Sequence, residues 1–340
     1  MIGTVLVATA GQGILRTSND GKKWSRLSIG QDLKFDSVVR SLLVHPVDPN
    51  VVFAGTELGL CRSDDAGATW SRIDSPMNDM HIWTLSVDPN EPQTLLAGTG
   101  APSRAAVFRS IDGGRQWERL SPEIPEFCAG VDRPRILTSV WDHVDGKSVY
   151  FGIEEGGLWR SRDRGDTWQR IDGDPDLLPD GVTHSDVHSI VVLSGPPKTI
   201  VVAVVNAFFV SHDDGATWQR TDTRDTWGIY YTRLFTTIPE TDDLLLGIGD
   251  GTPGTETKIL KSTDLGHTWT PTSLDTPANS TTWAFATHTA DPDLIFAGTK
   301  YGHLFRSTDS GDNWVKEWRE FPEITDVAWT PARAKDNASH

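Results

Sequence analysis

Cysteine and long apolar runs are both scarce in this chain of 340 residues. The two cysteines, Cys61 and Cys128, form no CxxC or Cys/His spacing, so the sequence excludes a zinc finger and a disulfide framework. Two isolated thiols are typical of a reducing compartment. No apolar stretch reaches the roughly 18 residues that a transmembrane helix needs.

Basic residues are also few, because 31 Lys and Arg face 47 Asp and Glu and leave a net charge of -16. The electrostatic field of this negative net charge repels phosphate backbones and anionic headgroups. We therefore expect neither nucleic acid nor membrane as a partner. The N-terminus has neither the basic segment nor the cleavage site of an export signal. We therefore expect a cytoplasmic protein.

Glycine, proline and tryptophan are abundant, with 31, 20 and 14 copies, which favours many short strands separated by turns. The pattern Ser/Thr-x-Asp/Asn-x-Gly-x-x-Trp recurs seven times, and its copies begin at Thr17, Ser63, Ser110, Ser161, Ser211, Ser262 and Ser307. The tryptophans that end the copies are 46, 47, 51, 50, 51 and 45 residues apart. One four-stranded propeller blade needs roughly 40–50 residues. The spacing predicts an all-β, seven-bladed β-propeller of four-stranded antiparallel blades.

Each residue type in this motif has a local task. The Asp side chain accepts hydrogen bonds from nearby backbone N–H groups, Gly supplies positive φ, and Trp packs its apolar face under the hairpin. The motif resembles the Asp-box (BNR) repeat of sialidases, sortilin-type receptors, xyloglucanases and photosystem II assembly factors. The resemblance implies that each motif lies on the hairpin between the third and fourth strands of a blade. Its role there is structural and not catalytic.

The two ends of the chain predict how the ring closes. Residues 4–8, 14–17 and 24–27 give three strands that no inner strand precedes, and residues 324–329 have the pattern of the missing one. One C-terminal strand and three N-terminal strands complete a blade and leave no free sheet edge. We expect a single propeller over residues 1–331 and a disordered tail over 332–340.

The connections between strands alternate between two faces of the ring. The motif turns and the first-to-second strand turns share the bottom face, and they are short and regular. The loops of the top face are long and uneven, as binding loops tend to be, above all at 99–106, 118–134, 171–185 and 249–257. By analogy with other propellers, we expect the site at the top mouth of the central channel.

Alignment of the repeats gives a ring of roughly equivalent inner-strand positions, which are Arg40, Trp83, Leu137, His188, Arg233 and Trp283, with Thr325 or a neighbour as the seventh. Three further polar side chains lie two residues upstream and nearer the top, namely His81, Arg135 and Tyr231. Cations and aromatic rings in this arrangement predict a site for an anionic or sugar-like small molecule or an oligosaccharide. In the alternative interpretation, the channel holds only water and its arginines pair with Glu57 or Glu154 across blades.

Several chemistries fit this arrangement. A sialidase-like site would use Arg40, Arg135 and Arg233, but sialidases have six blades. A glycosidase needs two carboxylates across a cleft, for which the candidates are Asp186, Glu154, Glu155 and Asp250. A divalent metal is a further possible cofactor, with His81, His184 and His188 as ligands and Asp186 on the same strand face as His188.

The sequence favours a hydrolase or lyase that acts on a polar, carbohydrate-like substrate. The predicted catalytic residues are His188, Asp186, Glu154 and Tyr231. The predicted ligand-binding residues are Arg40, His81, Trp83, Arg135, Arg233, Trp283 and Asp250. The alternatives are a non-catalytic interaction or assembly propeller and a metal-dependent enzyme that uses the channel histidines.

Overall fold

The computed structural model describes residues 3–18, 20–128, 130–171, 186–193, 195 and 198–332. These residues form short β-strands and one helical turn. No helix among them is long and apolar enough to cross a membrane. His184, most of the predicted 171–185 loop and nearly all of the predicted tail lie outside the described residues.

The strands form seven sheets, which confirms the predicted seven-bladed propeller. From inner to outer strand, blade 1 consists of β29 (Ile324–Thr330), β1 (Thr4–Thr9), β2 (Ile14–Thr17) and β3 (Ser25–Arg26), and blade 2 consists of β4 (Val39–Val44), β5 (Val52–Thr56), β6 (Gly59–Ser63) and β7 (Ser71–Arg72). In the same order, blade 3 consists of β8 (His81–Val87), β9 (Leu95–Gly100), β10 (Val107–Ser110) and β11 (Glu118–Arg119), blade 4 of β12 (Ile136–Trp141), β13 (Val149–Ile153), β14 (Gly157–Ser161) and β15 (Gln169–Arg170), and blade 5 of β16 (Val187–Leu193), β17 (Thr199–Val204), β18 (Ala207–Ser211) and β19 (Gln219–Asp222). Blade 6 consists of β20 (Tyr231–Thr237), β21 (Leu244–Gly249), β22 (Thr257–Ser262) and β23 (Thr270–Pro271), and blade 7 of β25 (Thr282–Ala286), β26 (Ile295–Thr299), β27 (Leu304–Ser307) and β28 (Asn313–Lys316).

Two elements were not expected from the sequence. The strand β24 (Ser273–Leu274) pairs in parallel with β28 and adds a fifth strand to the outer edge of blade 7. The helix α1 (Thr223–Trp227) lies in the loop between blades 5 and 6. The Asp222 side chain caps it by accepting from two backbone N–H groups, and Gly228 ends it in the left-handed conformation.

The ring closes as the sequence predicts. The C-terminal strand β29 pairs antiparallel with β1, with Thr330 opposite Thr4 and Ala328 opposite Leu6. The inner strands then contact one another around the ring, in the order β29, β4, β8, β12, β16, β20, β25. Each inner strand is therefore flanked by those of the two neighbouring blades.

The recurring turn has the same hydrogen bonds in the six copies that are fully described. In blade 2, Ser63 Oγ donates to Asp65 Oδ1 at 2.8 Å and accepts from the backbone N–H of Gly67 at 2.8 Å. Asp65 Oδ1 also accepts from the backbone N–H of Thr69 at 2.8 Å. The turn lies beside the first-to-second strand turn, since Ala66 N donates to Asn50 O at 2.8 Å. Both turns are thus on the bottom face, as predicted.

The apolar core is divided into layers that lie between adjacent blades. Strand residues alternate in direction, so one face of β1 packs on blade 7 through Val5 and Val7, while the other packs on blade 2 through Leu6 and Ala8. The tryptophan of each motif lies in the layer between its own blade and the preceding one. In blade 2 the indole N–H of Trp70 also donates to Gly67 O at 3.1 Å.

Candidate functional site

A β-bulge interrupts the inner strand of every blade at the same position. In blade 2, Val39 pairs with Thr56 and Ser41 pairs with Gly55, so Arg40 is the extra residue between them. The extra residues of the seven blades are Arg40, Trp83, Leu137, His188, Arg233, Trp283 and Thr325. These are the ring positions predicted from the sequence, with Thr325 as the seventh. Bulges re-aim side chains, and all seven line a cavity of about 790 Å³ along the channel.

A small residue on the second strand makes room for each bulge. In blade 3, an added Cβ at Gly98 would lie 2.5 Å from Ile136, the residue before the bulge of the next blade. The equivalent glycines Gly55, Gly152, Gly247 and Gly298 contact the next inner strand in the same way. The missing side chain therefore lets neighbouring inner strands approach closely and holds the bulges in register.

Two tryptophans of the ring each carry two cations. The guanidinium carbon Cζ lies over the Trp83 ring at 4.5 Å for Arg40 and at 5.0 Å for Arg135. Trp283 has Arg233 Cζ at 4.1 Å and Lys300 Nζ at 4.0 Å. Tryptophan is the strongest aromatic partner for a cation, so both pairs are held by attraction to the ring face.

Glu154 lines the channel and Asp186 lies behind it against His188, and the pKa values of these two carboxyl groups are shifted in opposite directions. Glu154 forms an ion pair with Arg135, yet burial raises the pKa of Glu154, with the charge of Asp186 adding to the rise. The pKa of Asp186 is lowered despite its burial, because His188, Arg233 and Arg135 favour its charged form. The two carboxylates are therefore driven towards different protonation states.

His188 is fixed by contacts at both ring nitrogens. Nδ1 lies 2.7 Å from Thr232 O, and Nε2 lies 3.2 Å from Asp186 Oδ2. Both ring nitrogens of His188 are therefore engaged, one by a backbone carbonyl and the other by a carboxylate. The Tyr231 ring lies 5.2 Å from the His188 ring, and burial raises the pKa of Tyr231. His188 therefore holds Asp186 in place instead of presenting a free nitrogen to the channel.

The arginines of the ring are paired differently from the sequence expectation. Arg135 pairs with Glu154 of its own blade rather than with a neighbouring one. Arg40 Nη1 lies 4.0 Å from Glu323 Oε1, and Lys300 Nζ lies 2.6 Å from the same oxygen. Arg233 makes no hydrogen bond or ion pair with another described residue, although its charge reaches Asp186. The prediction that the arginines pair across blades with Glu57 or Glu154 is therefore wrong for Arg135 and Arg233.

Two predicted ligand-binding residues lie away from the channel lining. The carboxylate of Asp250 closes its own loop by accepting from Thr255 N at 2.7 Å, Thr255 Oγ1 at 2.6 Å and Glu256 N at 3.1 Å. His81 starts β8 at the rim, where burial and the nearby Arg40 lower its pKa. A ligand role for either residue stays a prediction.

The structure places no cluster of three or more His, Cys, Asp or Glu around a metal-sized space among the residues it describes. His188 and Asp186 contact each other, and His184 lies outside the described residues. Metal binding by the channel histidines therefore stays a prediction that elemental analysis of the purified protein tests.

Sequence reasoning missed three residues that line the channel, namely Thr252, Lys300 and Asp326, and it missed Glu323, which pairs with Lys300. Asp326 accepts from the backbone N–H of Leu42 at 2.7 Å, and burial raises the pKa of Asp326 to about 7. Thr252 contacts Tyr231 through a side-chain hydrogen bond. Asp326 directly follows the ring position Thr325, and Glu323 precedes the predicted inner strand, so a search for carboxylates beside the bulges would have found both.

The fold and the channel define a seven-bladed β-propeller with a central site rich in cations and aromatic rings. Within that class, the chain belongs to the family described as the DUF6242 beta propeller domain, whose profile matches residues 3–199.

Curated relatives include a xyloglucanase of Hypocrea jecorina, which is 25% identical over 89% of this chain and 41% of its own length. A xyloglucanase of Acetivibrio thermocellus is 25% identical over 88% of this chain and 40% of its own length. This chain thus spans about two fifths of the length of these relatives.

Solved structures show the same fold. The GH74 enzyme of Niastella koreensis has a TM-score of 0.65 at 18% identity, over 86% of this chain and 46% of that one. YCF48 from Cyanidioschyzon merolae has a TM-score of 0.58 at 16% identity, over 87% of this chain and 88% of that one. At these identities, the likeness concerns architecture alone.

Proposed function

We propose that this protein is a glycosidase-like hydrolase that acts on a carbohydrate in the upper part of its central channel. The observation that carries the proposal is the pair Glu154 and Asp186, two neighbouring carboxylates with pKa values shifted in opposite directions. Glycoside hydrolysis uses one carboxylic acid that gives a proton and one carboxylate that remains charged. The similarity to xyloglucanases supports the same reaction class.

The two carboxylates have different roles in this proposal. In this proposal Glu154, whose pKa is raised, is the general acid that gives a proton to the leaving oxygen of the glycosidic bond. Asp186 stays charged and acts as base or as stabiliser of the positive charge that develops on the sugar. His188 positions Asp186, and Tyr231 packs beside it.

We also propose that the recurring turns are Asp boxes and that the protein is cytoplasmic. The shared hydrogen bonds of the six described turns support the first assignment. The Asp side chain of such a turn is engaged by the turn's own backbone and serine, so we propose that the turn joins strands and does not bind substrate.

The test is cleavage of a panel of oligosaccharides, neutral and acidic, by the wild-type protein and three variants. We expect Glu154→Gln and Asp186→Asn each to lower kcat/KM by about 10²–10⁴, since each removes one half of the acid–base pair. Glu123→Gln changes an exposed glutamate of a top loop and should leave kcat/KM unchanged. Full activity in Glu154→Gln, or no cleavage of any saccharide, would contradict the proposal.

A non-catalytic assembly propeller is the second candidate function. The share of each solved chain that is covered favours this candidate. This chain covers 88% of the YCF48 structure but less than half of the GH74 enzyme. A related structure shows YCF48 bound to D1 peptide. Peptide-array binding that is lost in Arg233→Gln and kept in Glu154→Gln, without cleavage of any saccharide, supports this candidate.

A further inference from the structure

The two tryptophans at ring positions already have cations over their faces. Trp83 carries Arg40 and Arg135 at 4.5 and 5.0 Å, and Trp283 carries Arg233 and Lys300 at 4.1 and 4.0 Å. A site for an uncharged sugar presents open aromatic faces, on which the apolar face of the ring stacks. Here the rings serve as platforms for positive charge, which points to recognition by charge and hydrogen bonding.

The arginines of the ring keep unused hydrogen-bonding capacity. The Nε atoms of Arg40, Arg135 and Arg233 are each buried and lack a hydrogen-bond partner among the described residues. The other two guanidinium nitrogens of Arg233 also make no hydrogen bond or ion pair with a described residue, and the group lies over the Trp283 ring. Leaving a buried donor unsatisfied is costly, so groups of this kind concentrate where a ligand completes them.

Cations are concentrated at this end of the channel. Arg40, Arg135, Arg233 and Lys300 lie here together with the carboxyl groups of Glu154, Asp186, Glu323 and Asp326, and burial raises the pKa of Asp326 to about 7. This group of four cations contrasts with the net charge of -16 of the whole protein. The cations also repel one another, because Arg135 lowers the pKa of Arg40, and Arg233 lowers that of Lys300, in addition to the effect of burial. An anion placed between them relieves this repulsion.

We propose that the channel binds an anionic saccharide of the sugar-acid class, whose carboxylate is held by the guanidinium of Arg233 together with the cations stacked on Trp83 and Trp283. A planar guanidinium presents a two-pronged set of donors that matches a planar carboxylate. This inference rests on the proposed function and deepens it, because it names an acidic sugar as the substrate where the relatives are xyloglucanases.

The test is isothermal titration of the intact protein with an oligogalacturonide trisaccharide and with the uncharged cellotriose. We expect the acidic trisaccharide to bind at least about tenfold more tightly, and its affinity to fall as salt is added. Arg233→Gln should weaken this binding by about tenfold or more, and Arg233→Lys should have a smaller effect because it keeps the charge. Arg119→Gln makes the same change on the exposed outer strand β11 and should leave the affinity unchanged.

Lys300→Gln provides a second variant from a different blade, and a thermal melt of each variant shows that it is folded. The inference is overturned if folded Arg233→Gln and Lys300→Gln both bind the acidic trisaccharide like wild type, or if cellotriose binds as tightly. Tighter binding of a sugar phosphate than of the oligogalacturonide would overturn the assignment to a carboxylate.

The outcomes separate this inference from the proposed hydrolase function. Binding of the acidic trisaccharide that depends on Arg233, without cleavage, upholds the sugar-acid assignment and contradicts the hydrolase. Cleavage of an uncharged saccharide that depends on Glu154, without binding of the acidic one, upholds the hydrolase and contradicts the sugar acid.

Discussion

At the level of single residues, the Asp side chains of the bottom turns are satisfied, whereas three arginines of the channel each keep a buried nitrogen without a partner among the described residues. Asp65 accepts from the backbone and the side chain of Thr69 and from Ser63, as its equivalents do in other blades. The Nε atoms of Arg40 and Arg233 are buried without a partner among the described residues. Buried arginine nitrogens without a partner do not stabilise the fold. We therefore assign a binding role to the channel and a structural role to the turns.

A pair of stacked histidines on the bottom face predicts a dependence of stability on pH. The rings of His212 and His267 lie 4.2 Å apart, and burial together with the neighbouring His267 lowers the pKa of His212. Because the folded state binds the proton less readily than the unfolded state, stability falls as pH drops below about 6.5.

We expect His267→Gln to reduce this loss by less than about 1 kcal/mol, since the pair is partly exposed. The measurement is the urea midpoint of wild type and variant at about pH 7.5 and about pH 5.5. The matched control is His143→Gln, which removes an exposed histidine from another bottom turn. An equal loss of stability in wild type and His267→Gln would contradict the prediction.

At the level of elements, the inner strand and the second strand of adjacent blades act as one unit. The bulge directs a side chain into the channel, and the small residue on the neighbouring second strand leaves space for the residue before the bulge. Blades 1 and 5 use Ala8 and Ala203 at this position instead of glycine. The geometry of the site therefore depends on close contact between blades as much as on the ring residues.

Gly98→Ala tests this contact. The added Cβ would meet Ile136 side-chain atoms at 2.5 Å, so we expect a loss of about 1–3 kcal/mol in the free energy of unfolding through overpacking. Gly251→Ala is the matched control, because its added Cβ has its nearest neighbour at 3.7 Å. Denaturant unfolding of both variants provides the measurement, and equal stabilities would show that the inner strands can separate without cost.

At the level of the whole molecule, the ring is closed by residues from both ends of the chain. β29 supplies the inner strand of blade 1 and carries Thr325 and Asp326 into the channel. Asp326 also accepts from Leu42 N in blade 2 and so links the two blades. Closure thus completes both the hydrogen bonding of β1 and the wall of the site.

Removal of β29 by truncation after Glu323 is expected to abolish the cooperative thermal transition and to cause aggregation. The truncation leaves β1 as an open edge and exposes the layer that contains Trp24 and Phe296. A control truncation after Ala332 keeps every strand of the ring. A truncated protein that melts cooperatively near the wild-type temperature would show that closure is dispensable.

The sequence by itself determined the number of blades, the closure of the ring and a set of equivalent positions on the inner strands. The reason is that these features are local: Ser63, Asp65 and Gly67 form their turn within five residues, and the motif repeats once per blade. Alignment of such repeats places Arg40, Arg233 and their equivalents in one ring before any contact is known.

Only the tertiary structure decided which of those residues are paired, buried or unsatisfied. Asp326 meets Leu42 across 284 residues of sequence, and Lys300 meets Glu323 from a different blade. Arg135 and Arg233 are equally basic in the sequence, yet Arg135 has a carboxylate partner, whereas Arg233 lies over the Trp283 ring and forms no ion pair with another described residue. These differences arise from burial and from distances between blades, and both exist only once the ring has closed.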